Sequence, residues 1–123
     1  MNQIVVYAGA GLTVMWGIAH LFPTQSVVKG FGEISVDNRR IITMEWIVEG
    51  VALILLGVIV AAVTAIDPAS PVSRAVYVLV ALGLLALAVV SLFTGFKVRF
   101  LPFRLCPLIF TLSALLILGG SLS

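Results

Sequence analysis

The stretch IITMEWIVEGVALILLGVIVAAVTAI, residues 41–66, decides the fold. Its only ionisable side chains are Glu45 and Glu49, and it exceeds the roughly 20 helical residues needed to cross about 30 Å of hydrocarbon. Backbone amides in lipid must be satisfied within their own segment, so the stretch reads as a membrane-spanning helix. The Asp67-Pro68 pair ends it.

Working outward, three more stretches have the same character. Residues 4–22 run apolar up to Pro23, and residues 75–94 stop at Gly95, a natural C-cap. Residues 105–122 carry Pro107 in what reads as a tolerated first-turn position. The expectation is an all-α, single-domain, integral membrane four-helix transmembrane bundle over residues 1–123. Composition agrees: 62% of residues are hydrophobic and 10% charged, whereas ordinary soluble domains are about a quarter charged. A water-soluble chain of this size has no interior large enough to hide so much apolar surface. No basic residue precedes the first apolar run, so it reads as a retained span rather than a removed targeting sequence.

Basic residues set the expected orientation. Lys29, Arg39 and Arg40 lie in the first loop, Lys97, Arg99 and Arg104 in the third, and only Arg74 in the second. The positive-inside rule then places loops one and three in the cytoplasm and both termini outside, in a plasma (inner) membrane. These basic residues form no stripe, so a nucleic-acid partner is not expected; the lipid bilayer is. The lone cysteine, Cys106, excludes an internal disulfide and any paired-cysteine redox chemistry.

Loop one, residues 23–40, is the longest connection. Val27, Val28, Phe31 and Ile34 recur at helical spacing, which fits a short helix lying in the membrane interface. Gly30 and Gly32 weaken that helix and leave a re-entrant turn as the alternative. Ser35, Asp37 and Asn38 are N-cap candidates for the second span.

Ionisable groups inside a span are expensive and mark candidate sites. Here they are His20 in the first span and Glu45 and Glu49 in the second. Glu45 and Glu49, four apart, share one helical face, which Asn38 extends outward. Counted from Ile41, the two acids lie about 6 and 12 Å deep; counted from Pro23, His20 and Trp16 lie about 4 and 10 Å deep. Matched depth predicts His20 opposite Glu45 and Trp16 covering Glu49. Arg40, Arg104 and Lys97 are candidate ion-pair partners for Glu45. Trp46 reads as an interface anchor facing lipid or headgroups. His, Glu and Glu offer nitrogen and oxygen donors, but their spacing spells no metal motif, and one histidine leaves no pair for a haem. No metal or cofactor is expected. Small residues recur every four positions at Gly9, Thr13 and Gly17 and again at Gly57, Ala61 and Ala65, stripes that suit either an intramolecular neighbour or a second protomer.

In chain length and span count the sequence resembles the small multidrug-resistance transporters, which pack four helices per subunit and work as dimers. Those keep an essential glutamate in the first helix, where this chain has none, so no residue role carries over. The residue types His20, Asn38, Glu45 and Trp46 also resemble the polar set inside membrane sterol isomerases of the emopamil-binding kind, without a shared motif. Three functions follow as expectations. The site at His20, Glu45, Glu49, Trp16 and Asn38 binds a small amphipathic or cationic molecule with proton-linked transport or gating. Alternatively, the same groups perform acid–base chemistry on a lipid-like substrate. In the third reading the chain is an accessory subunit or homo-oligomer whose charges meet a partner.

Overall fold

The computed structural model describes residues 1–123, and it is helical with no strand. Four helices are long and apolar enough to cross a membrane: α1 (Gln3–Leu21), α3 (Val36–Ile66), α4 (Pro71–Phe93) and α5 (Leu101–Leu122). A short helix, α2 (Thr24–Gly30), follows α1, and a single 3-10 turn (Gly95–Lys97) links α4 to α5. The chain is an integral membrane protein by this measure.

Helix boundaries follow caps more than hydropathy. Helix α3 starts at Val36 because the Ser35 hydroxyl accepts from the Asn38 amide at 3.1 Å. Ser70 does the same for α4, accepting from Ser73 at 3.1 Å, with Pro71 at the first helical position. The expected starts at 41, 75 and 105 are therefore each four or five residues late: charged and proline-bearing first turns are helical although not apolar. One consequence is that Pro107 lies inside α5, not in its first turn, which Pro102 occupies. Its missing amide leaves the Phe103 carbonyl without the usual helical donor.

Helix α1 is the centre of the bundle. It packs chiefly on α3 and α5, α5 packs on α4, and α3 meets α4 more sparingly. The small-residue stripe of α1 is divided between its two neighbours. A Cβ on Gly9 would lie 2.9 Å from the Ser113 carbonyl of α5, and one on Gly17 would lie 2.8 Å from the Gly50 carbonyl of α3. On α3 the matching positions are Gly50 and Gly57, the latter against the Ala10 carbonyl. The expected Gly57, Ala61 and Ala65 stripe is not the contact: Ala65 is exposed, and the buried positions run Gly50, Leu53, Gly57, Val60, Thr64. That alternating three-and-four spacing makes one continuous seam against α1, which runs antiparallel to it, with Gly17 against Gly50 and Ala10 against Gly57.

The core occupies the middle and one end of the bundle. Val6, Leu53, Val60, Tyr77, Leu84, Phe110 and Ile117 are all at most 2% exposed. The termini and the α3–α4 loop share that end, where the Asn2 amide donates to the Gly120 carbonyl at 2.8 Å. The other end gathers α2, the 3-10 turn and the junctions around them, and it is packed differently.

Candidate functional site

The sparsely packed end is built on aromatic rings. His20, in the last turn of α1, lies flat against Trp46 of α3, with centroids 3.9 Å apart and planes 16° from parallel. The Trp46 indole donates to the His20 carbonyl at 2.7 Å, locking the stack to the α1 backbone. Phe103 of α5 meets the edge of Trp46 at 5.6 Å, and Phe100 meets Phe103 at 5.8 Å. Trp46 therefore does not face lipid or headgroups as expected. It faces inward because the close α1–α3 approach leaves room beside His20 for an indole and supplies a carbonyl for its N–H.

Between these rings lies a cavity of about 170 Å³, walled by Trp16, Ala19, His20, Trp46, Phe103 and Cys106 among others. A wider space of about 530 Å³ adjoins it toward α2, sharing Pro23, Trp46, Phe100 and Phe103 and reaching Phe31. Two residues that line the inner cavity each have a buried nitrogen without a hydrogen-bond partner: Trp16 Nε1 and His20 Nε2.

His20 pairs with Glu49, not Glu45. Its Nε2 lies 3.4 Å from Glu49 Oε2, within ion-pair reach though not in hydrogen-bond geometry. The imidazole is 8% exposed and the carboxylate 46%, so His20 is the wall between cavity and Glu49. The one-turn error comes from depth counting, which treated Pro23 and Ile41 as level. Register is set by backbone contact, with Gly17 against Gly50 and Ala10 against Gly57, and that brings position 49 opposite position 20. Trp16 turns toward the cavity and Cys106 of α5 rather than covering Glu49.

The remaining candidates lie elsewhere. Glu45 is exposed and borders, with Glu49, Phe31 and Trp46, a shallow groove on the outer face of α3. Asn38 is exposed, its amide engaged by the Ser35 cap. Arg40 pairs with Asp37 at 3.8 Å. Arg104 donates to the Val98 carbonyl at 3.2 Å and lies over the Phe96 ring. Neither arginine reaches Glu45 or Glu49, nor does Lys97, and no three of the His, Cys, Asp and Glu side chains converge. Sequence reasoning passed over Phe100 and Phe103. Their signal was the recurrence of Phe96, Phe100 and Phe103 at three- and four-residue steps beside Pro102, in a segment read only for its charge.

Comparison with protein-family models, curated proteins and solved structures finds no match to this chain.

Proposed function

We propose that this protein binds a small amphipathic molecule in the aromatic cavity and couples that binding to protonation of the His20–Glu49 pair. The observation that carries it is the placement of one buried imidazole with the cavity on one side and a half-exposed carboxylate on the other. Aromatic faces accept an apolar or cationic ring. His20 is the side chain that both lines the cavity and meets Glu49, and an imidazole can accept and donate a proton. A cavity of this size matches a single six-membered ring, by analogy with a ~150 Å³ engineered cavity that takes benzene. Proton-linked transport or gating follows if binding and protonation exclude or favour one another. By the positive-inside rule the site lies at the cytoplasmic end, with both termini external and α2 in the interface.

A second reading is acid–base catalysis on a lipid-like substrate, favoured by the same position of His20. Conversion of the bound molecule, as opposed to its unchanged release, separates the two.

Both tryptophans of the chain line the cavity, so intrinsic fluorescence reports on it directly. In protein reconstituted into lipid nanodiscs, 4-bromobenzyl alcohol is expected to quench that fluorescence saturably. The apparent affinity changes with pH in the wild type, the midpoint of that change moves in Glu49→Gln, and the change is lost in His20→Asn. Quenching that rises linearly without saturation, and equally in an Ala19→Phe variant with the cavity filled, contradicts the reading.

A further inference from the structure

The inner cavity holds a clue to the chemistry of its occupant, resting on the reading of that cavity as a ligand site. Its walls are almost wholly apolar, yet one indole N–H is buried there without a partner. An indole nitrogen can only donate. Leaving a buried donor unsatisfied is destabilising, because the group gives up its water without gaining a partner. The Cys106 sulfur, a weak acceptor, interacts with this indole, but the contact falls short of hydrogen-bond geometry. Trp46, which lines the same cavity, differs: its indole donates to a backbone carbonyl at 2.7 Å. No backbone carbonyl of the protein accepts from the Trp16 indole.

We infer that the occupant is a flat ring bearing a carbonyl oxygen, of the quinone or aryl-ketone class, whose oxygen accepts from the Trp16 indole N–H. The ring lies in the inner cavity among His20, Trp46 and Phe103, and substituents extend through the shared wall into the wider space toward α2. The size of the inner cavity admits one ring. Flatness fits the stacked and edge-on rings that wall it. A donor-only partner selects against hydroxyl-free hydrocarbons and against ammonium headgroups, which bring no acceptor to Trp16.

Duroquinone and durene test this as a pair, since they share ring and methyl groups and differ by two carbonyl oxygens. The four methyl groups also block addition of the Cys106 thiol. Thermal stabilisation of the protein in nanodiscs is expected at roughly 3- to 10-fold lower concentration of duroquinone than of durene, the worth of one neutral hydrogen bond. Trp16→Phe, which keeps a ring, abolishes that preference and leaves durene binding unchanged. Should Trp16→Phe fold poorly, the wild type answers alone: one of its two 15N-labelled indole signals shifts downfield with duroquinone and not with durene. Trimethylbenzoquinone carrying a decyl chain distinguishes sources. Tighter binding than duroquinone places the quinone in the lipid, and no gain places it in the aqueous phase. Equal binding of duroquinone and durene, with neither indole signal shifting, overturns the acceptor inference while the apolar site survives. Failure of both compounds to bind overturns both.

Discussion

The two ends of the bundle solve the same problem in opposite ways. At the end bearing the termini and the α3–α4 loop, buried polar groups are closed off in pairs, with Ser113 Oγ in the middle of α5 the exception. Thr64 donates to the Val60 carbonyl at 2.6 Å and so accepts from the Tyr77 hydroxyl at 3.0 Å, and Ser73 donates to the Asp67 carbonyl at 2.6 Å. Tyr77, the largest fully buried side chain, is wholly enclosed there. At the other end a stacked ring pair and two edge-on rings surround a void, two buried nitrogens lack hydrogen-bond partners, and the only interhelical ion pair is half open. Satisfied polar groups with dense packing rigidify a fold. Space with unsatisfied polar groups is what a ligand completes. The difference separates the end that holds the protein together from the end at which we propose it binds its ligand.

That contrast breaks down if mutations at the closed end prove harmless. Tyr77→Ala is expected to give the largest loss, about 3–5 kcal/mol, from the deleted ring and the cavity left behind. Gly17→Ala comes next, at about 1–3 kcal/mol, because its new Cβ meets α3 backbone that cannot yield without separating the two helices. Tyr77→Phe removes only the hydroxyl from the Thr64 pair and is expected to cost about 0.5–1.5 kcal/mol. Gly11→Ala should have the smallest effect, neutral or stabilising by up to about 1 kcal/mol, since nothing lies near its Cβ position. Each is read from reversible unfolding in mixed micelles. A Gly11→Ala loss equal to that of Gly17→Ala would refute the assignment of the close helix contact.

Much of this was legible in the residues, for reasons that also explain the errors. Four apolar stretches, bounded by Pro23, Asp67-Pro68 and Gly95, give the helices, because lipid leaves the backbone no alternative. Of the apolar spacing in loop one, only Val27 and Val28 fall in α2, which ends at Gly30; Phe31 caps it and Ile34 lies beyond, past Gly32 at φ +74, a conformation glycine adopts freely. Register is harder. Depth counted from hydropathy edges carries an error of a turn, since caps such as Ser35 start helices in polar sequence, whereas Gly17 and Gly50 record the register directly. Trp46 was misplaced because an indole near a span edge has two satisfactory environments, headgroups or a carbonyl, and only the fold supplies the His20 carbonyl. The part played by Phe100 and Phe103 depends on α5 returning beside α1, which no local pattern encodes.

The central claim is that His20 is fixed between Trp46 and Glu49 at the cavity wall. Because the chain has one histidine, its imidazole signals in a selectively labelled sample are unambiguous. Stacking at 3.9 Å predicts ring protons moved upfield by the Trp46 ring current, an offset that vanishes in Trp46→Leu. Glu49→Gln should displace the same signals, and Glu45→Gln should leave them in place. Imidazole signals at ordinary positions, unmoved by Trp46→Leu and responding to Glu45→Gln instead of Glu49→Gln, would contradict the register and the site built on it.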